Sequence, residues 1–127
     1  MLRSLVLFTV SVESQFWATH GLTLPDGSRE AAHGHNWNVI AEVSGERLNS
    51  MGLVMDFRQL REMIAEIVAE LRDTPLEQVG YFRRNNPSAE NVARYIYEKL
   101  ETKLPKDLGL ESVSVTEEAG CSAKYGR

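Results

Sequence analysis

The run from about His33 to Ser44 constrains this chain more than any other stretch. Side chains two apart on an extended strand point to one face. His33, His35, Trp37, Val39, Ala41 and Val43 therefore share a face. One end of that face is chemical and the rest is apolar. A fold that buries the apolar part must carry two imidazoles at the rim of its core.

His20 is the only other histidine among the 127 residues. It follows an alternating run from Leu5 to Ser14, in which Val6, Phe8, Val10 and Val12 face one way and Thr9, Ser11 and Glu13 the other. A third imidazole from the end of a neighbouring strand would complete a three-nitrogen set. Catalytic zinc is usually held by three protein ligands with one position open, whereas structural zinc takes four, often with cysteine. The only cysteine, Cys121, is distant in sequence. A His-x-His pair by itself fits surface or satisfied core histidines equally well. The gathering of all three histidines between positions 20 and 35 points instead to an open zinc site with water or substrate as the fourth ligand.

The remaining elements follow in order. Pro25-Asp26-Gly27-Ser28 is a turn signal. Asp56 caps a helix, with Gln59 placed for a capping box, and Phe57, Leu60, Ile64, Ile67, Val68 and Leu71 form its apolar stripe. This helix is expected to end near Arg72, before Pro75, with a loop to Asn86. A second helix begins at Pro87 or Ser88, faces inward with Val92, Ala93, Ile96, Leu100 and Leu104, and stops at Pro105. Val113 to Glu117 forms a third strand and Ser122 to Gly126 a short fourth. Strands, then helices, then strands make an α+β sandwich in a single domain over residues 1–127. Two open sheet edges are a liability that assembly into an oligomer would remove.

Fourteen basic against eighteen acidic side chains, net −4, form no basic stripe, so nucleic acid is not the expected partner. One cysteine excludes an intrachain disulfide and fits a cytoplasmic protein. The apolar run after Arg3 is too short to span a bilayer, and Glu13, Gln15 and Phe16-Trp17 do not suit a signal peptide.

Several segments together are similar to the 6-pyruvoyl- and 6-carboxy-tetrahydropterin synthase family. They are Phe16-Trp17-Ala18-Thr19-His20, His33-Gly34-His35-Asn36-Trp37, Gly52-Leu53-Val54-Met55-Asp56-Phe57, Asn86-Pro87-Ser88-Ala89-Glu90-Asn91 and Val113-Ser114-Val115-Thr116-Glu117, followed by Tyr125. The resemblance implies the tunnelling fold (T-fold), an antiparallel sheet with two helices on one face. It implies zinc on His20, His33 and His35, and a pterin substrate derived from dihydroneopterin triphosphate. It also implies a homo-oligomer, trimer or hexamer, with sites at subunit interfaces.

Val113, Val115 and Glu117 share a strand face, so Glu117 ends a buried row. A surface glutamate at a strand end would read the same way. The resemblance makes Glu117 the pterin anchor, since a carboxylate can accept two adjacent ring donors. Ser88 reads as a helix N-cap, and the resemblance sets it near the pterin pocket. The chain also departs from the family. Gly27-Ser28-Arg29-Glu30 holds no cysteine before the His-x-His pair, and Leu71-Arg72-Asp73-Thr74-Pro75-Leu76-Glu77 holds no Asp-His pair. Glu30, three residues before His33, resembles a subgroup with Glu-x-x-His-Gly-His that yields 6-hydroxymethyl-dihydropterin, and is the candidate general base. It would otherwise be a solvated loop residue. Arg83 and Arg84 are candidates to meet a triphosphate, or simply a solvated loop pair.

The expectation is a zinc-dependent pterin lyase acting on dihydroneopterin triphosphate or a close relative, with a carboxy-, pyruvoyl- or hydroxymethyl-pterin product. The alternatives are a zinc- and pterin-binding homologue without turnover, and a different zinc-assisted reaction.

Overall fold

The computed structural model describes residues 6–127. The start of the first expected strand, Leu5, and Arg3 lie outside these residues. Four strands make one sheet in the order of the chain: β1 (Phe8–His20), β2 (His33–Gly45), β3 (Gly109–Glu118) and β4 (Cys121–Gly126). Every neighbouring pair is antiparallel. The segment between β2 and β3 carries α1 (Phe57–Ala69), a 3-10 turn (Leu76–Gln78), α2 (Tyr81–Arg84) and α3 (Ala89–Lys103). α1 packs over β1, and α3 over β3 and β4. The α+β T-fold expected from the sequence is the fold found.

The alternation decides which face the helices cover. Val12, Phe16 and Ala18 of β1, Trp37, Val39, Ala41 and Val43 of β2, and Leu110, Val113 and Val115 of β3 are buried. They meet Leu60, Ile64, Ile67 and Val68 of α1 and Val92, Ala93, Ile96 and Leu100 of α3. Val6 and Phe8, on the same alternation, lie beyond this cover at 92% and 50% exposure.

β1 is longer than the alternation from Leu5 to Ser14 suggested. It continues to His20, which pairs directly with His33. Gln15, Trp17 and Thr19 keep the outward phase while Phe16, Ala18 and His20 point in. Apolar and polar residues mix on both faces there, which hides the period.

α1 starts at the expected cap, Asp56, but its carboxylate accepts from the Arg58 N–H at 2.8 Å and Gln59 does not complete the expected capping box. It ends at Ala69, three residues short of Arg72. Beyond it, Leu71 N–H and Arg72 N–H both bond to the Val68 carbonyl, and Asp73 takes φ 56°. Asp73 N–H then donates to the Trp17 carbonyl at 2.7 Å, which ties the turn to β1. The expected loop to Asn86 holds α2 and the 3-10 turn, anchored by buried Leu76 and Phe82. Ser88 caps α3, accepting from Asn91 N–H at 3.2 Å.

Candidate metal centre

β1 and β2 bring the histidines together through register. His20 stands opposite His33, and His35 follows two residues on, on the same face. Ring centroids are 4.6 Å apart for His20 and His33, 5.1 Å for His20 and His35, and 4.8 Å for His33 and His35. The buried Trp37 indole forms the apolar floor, with its centroid 4.9 Å from that of His20 and 5.6 Å from that of His35. Trp37 is itself fixed, since Nε1–H donates to the Ala18 carbonyl at 3.1 Å.

Glu117 arrives from β3. The β3–β4 register passes from Thr116↔Ser122 to Glu118↔Cys121, so Glu117 is the extra residue of a bulge. Bulges re-aim side chains beside functional sites. Its Oε1 stands 2.8 Å from His20 Nε2 and 3.6 Å from His35 Nε2. One ligand atom from each of His20, His33, His35 and Glu117 lies within 4.8 Å of every other.

The hydrogen bonds behind the rings set their tautomers. His20 Nδ1 is 2.6 Å from the Pro87 carbonyl and His33 Nδ1 is 3.0 Å from the Ala31 carbonyl. A carbonyl only accepts, so each Nδ1 carries a proton and each neutral ring presents Nε2 as a lone pair. Nε2 of His20 and Nε2 of His35 are buried with no hydrogen-bond partner. The 2.8 Å approach to Glu117 is therefore proximity without hydrogen-bond geometry. Burial holds the His35 pKa below the usual histidine range. The Glu117 carboxylate opposes this, and the neighbouring imidazoles add to it. Neutral imidazole is the ligating form.

Orphaned lone pairs converging on one point fit a cation. Three imidazoles with a carboxylate beside them suit zinc. His20, His33 and His35 are the residues that would hold it, and for His20 and His33 the far ring nitrogen faces a main-chain carbonyl, as is usual for ligating histidines.

The other candidates lie elsewhere. Glu30 is exposed, in the loop of residues 21–32, and its Oε1 accepts from the Leu22 N–H at 3.2 Å. Its main chain also pairs with Leu22, the N–H donating at 2.8 Å. Ser88 is half-buried as the cap of α3. Arg83 and Arg84 are exposed on α2, and Arg83 donates to the Gln78 carbonyl at 3.3 Å.

Sequence reasoning missed the groups that brace the site. The Pro87 carbonyl has no residue-type signature. Glu77 accepts from the Gly21 N–H at 3.2 Å, next to His20, and pairs with Arg29 at 3.5 Å. Gly34, between His33 and His35, has the Trp17 indole against its α-carbon. A Cβ there would meet Trp17 Cζ2 at 2.2 Å.

Comparison with known proteins agrees with this fold. Residues 9–127 match the model of the 6-pyruvoyl tetrahydropterin synthase family. A dihydroneopterin monophosphate aldolase of Pyrococcus furiosus is 32% identical over 104 residues, covering 82% of this chain and 84% of that one. The Homo sapiens 6-pyruvoyl tetrahydrobiopterin synthase is 34% identical over 79 residues, covering 58% of this chain and 52% of that one. The solved Caenorhabditis elegans 6-pyruvoyl tetrahydropterin synthase superimposes with a TM-score of 0.84 at 23% identity, over 99% of both chains. A Plasmodium vivax 6-pyruvoyltetrahydropterin synthase, in a variant with alanine at a catalytic glutamate, gives 0.77 at 21% identity, over 96% of this chain and 98% of that one.

The fold and the histidine–carboxylate cluster define a pterin-lyase scaffold with a candidate metal centre. The chain belongs to the 6-pyruvoyl tetrahydropterin synthase family, whose members are lyases of pterin metabolism.

Proposed function

We propose that this chain is a zinc-dependent lyase that shortens the side chain of a phosphorylated dihydroneopterin to give 6-hydroxymethyl-dihydropterin. The observation that carries the reading is the convergence of His20, His33, His35 and Glu117. Glu30 in place of the usual cysteine, three residues before His33, directs it toward cleavage. The Pyrococcus furiosus relative is a dihydroneopterin monophosphate aldolase, which supports that choice. The Plasmodium vivax protein has a glutamate as a catalytic residue, which supports a catalytic carboxylate here.

Zinc on the three imidazoles would polarise the side-chain hydroxyls and ease the loss of their protons. Glu30 is the proposed base for the hydroxyl on the second side-chain carbon. The bond between the first and second carbons then breaks, the oxygen closes to an aldehyde, and the electron pair passes into the conjugated C=N bond of the ring. A proton returned to the first carbon leaves a hydroxymethyl group, so the step needs no redox partner.

Glu117 is proposed to bind substrate. Its place against the imidazoles suits donors on the part of the substrate closest to the ligating nitrogens. Ser88 Oγ accepts from Asn91, and its own proton is free to donate to substrate. The two arginines of α2 are proposed to serve the phosphate.

The working unit is proposed to be a cytoplasmic homo-oligomer, trimer or hexamer, with sites at subunit interfaces. Exposed Phe8 and Trp17 on the edge strand β1, with exposed Val6 and Leu7 just before it, support assembly. No described helix is long and apolar enough to cross a membrane. Sedimentation at micromolar concentration tests assembly, and a purely monomeric species would defeat it.

The deciding assay gives zinc-replete protein dihydroneopterin monophosphate and triphosphate separately, with products identified by mass spectrometry. Hydroxymethyl-pterin with a two-carbon aldehyde phosphate is expected from the monophosphate. A carboxy- or pyruvoyl-pterin would assign the chain to synthase chemistry. Pterin binding without conversion would favour a second reading, a binding homologue. The commitment of the Glu30 carboxylate to Leu22 is the observation on its side.

A further inference from the structure

His20 is oriented by a main-chain group rather than a side chain. Its Nδ1 proton points at the Pro87 carbonyl, 2.6 Å away. That carbonyl is held in turn by Asn86. The Asn86 side chain accepts from Thr23 N–H at 2.7 Å through Oδ1 and donates to the Thr23 carbonyl at 2.9 Å through Nδ2. One amide thus satisfies both main-chain groups of one residue, as a neighbouring strand would. The Asn86 carbonyl accepts from Ser88 N–H at 2.8 Å and from Asn91 Nδ2 at 2.9 Å.

Thr23 lies three residues after His20, and Pro87 immediately follows Asn86. The Asn86–Thr23 pairing therefore ties the chain leaving β1 to the chain entering α3. His20 and the Pro87 carbonyl sit at the closed end of that clip. Pro87 has a fixed φ and confines Asn86 to extended backbone. Little freedom remains for the carbonyl to leave Nδ1.

The residue type matters. The pairing needs a donor and an acceptor side by side on a short stem. Aspartate offers two acceptors and would set one against the Thr23 carbonyl. Serine is too short to span both groups.

We propose that Asn86 is a positioning residue for the metal centre. Acting through the Pro87 carbonyl, it holds His20 with the proton on Nδ1 and Nε2 free, and Asn91 supports it. The consequence for metal affinity rests on the zinc reading above. The consequence for the tautomer does not.

The test uses 15N-labelled, metal-free protein at pH 7.5. Long-range 1H–15N correlation assigns the protonated nitrogen of each ring. Zinc affinity is measured separately by competition with a chromogenic chelator. The wild-type protein should show His20 protonated on Nδ1. Asn86→Asp and Asn86→Ala should show mixed His20 tautomers, with His33 unchanged because the Ala31 carbonyl holds it independently. Their zinc dissociation constants should rise about 10- to 100-fold, the range for groups that orient metal ligands. Tyr95→Phe removes a hydrogen bond to Glu70, and should lower the melting temperature without moving either readout.

A wild-type His20 protonated on Nε2 overturns the proposal. So does a folded Asn86 variant with the wild-type tautomer and affinity. Should both Asn86 variants fail to fold, Asn91→Ala removes one of the bonds to the Asn86 carbonyl. It should shift the tautomer in the same direction by less, and an unmoved tautomer then overturns the proposal. If the wild-type protein binds no zinc while the tautomers behave as stated, the positioning role stands and the metal reading falls.

Discussion

Nε2 of His20 and Oε1 of Glu117 face each other across 2.8 Å, while the Nδ1 proton of the same ring goes to Pro87. With the ring neutral, two acceptors meet there. Such a pair is stable only with a positive charge close by, supplied by a metal or a second ring proton. A metal explains more of the geometry, because His35 Nε2 is also buried without a hydrogen bond.

Purified protein is therefore expected to hold one zinc per chain after dialysis, read by elemental analysis. His33→Ala or His35→Ala should lower the affinity by about 100-fold or more. Glu117→Gln should keep zinc to within about tenfold and lose activity, since the carboxylate is proposed to serve substrate. Metal binding also adds to stability by mass action, about 2.7 kcal/mol at a free zinc concentration 100 times the dissociation constant. A chelator should lower the melting temperature of the wild-type protein and leave that of His35→Ala unmoved.

The His35 pKa gives the metal-free protein a pH dependence with a defined sign. Burial lowers it below the unfolded value of about 6.5. Between the folded and unfolded values the unfolded chain binds more protons, so stability falls as pH falls. The loss begins as pH drops through about 6.5 and levels off below the folded pKa. Urea unfolding midpoints of metal-free protein from pH 7.5 to 5 should decline, and His35→Gln should decline less steeply. A midpoint that rises toward low pH would contradict the assignment.

Gly34 and Trp17 make a prediction that is independent of any ligand. An alanine Cβ at position 34 would stand 2.2 Å from Trp17 Cζ2. Trp17 is 49% exposed, so the indole can swing out instead of forcing the strands apart. Gly34→Ala should cost about 1–3 kcal/mol, as overpacking does, with a red shift in tryptophan emission. In a Trp17→Ala background the same change should cost close to nothing. A full cost in that background would place the clash in the backbone.

Much of the site was legible because it is carried by residue type and period. The shared face of His33, His35 and Trp37 follows from alternation alone, and the place of Glu117 on the valine face of β3 follows the same way. Glu117's position against the histidines was not legible, because it depends on a bulge that no residue signals. The join between His20 and β1 was missed because Gln15, Trp17 and Thr19 are half-exposed on a face that no helix covers, which blurs the apolar period. α2 was read as loop because four residues are too few for periodicity to show. The Pro87 carbonyl could not be found by any reading of side chains.

Ser88 separates capping from substrate contact. Ser88→Ala removes the bond to Asn91 N–H and should cost about 1 kcal/mol of stability, the usual effect of losing a cap. Ser88→Asp keeps an acceptor at the cap and removes the hydroxyl proton. If Ser88 only caps, Ser88→Asp should leave both stability and KM near the wild-type values. If it also donates to substrate, KM should rise several-fold while the melting temperature holds.

Glu30 is the sharpest case, because its carboxylate has a structural task that any variant must respect. Oε1 accepts from Leu22 N–H across the 21–32 loop. Glu30→Ala would lose that bond together with any catalytic role, so a drop in activity would be ambiguous. Glu30→Gln keeps a carbonyl oxygen able to accept from Leu22 and removes only the capacity to take a proton. With the general-base role, Glu30→Gln should fold with wild-type stability, retain zinc and bind pterin, yet lose about 10²–10⁴ in kcat. A Glu30→Gln enzyme with near wild-type kcat would confine Glu30 to holding its loop, and the base would have to be sought among the groups facing the histidines, Glu117 first.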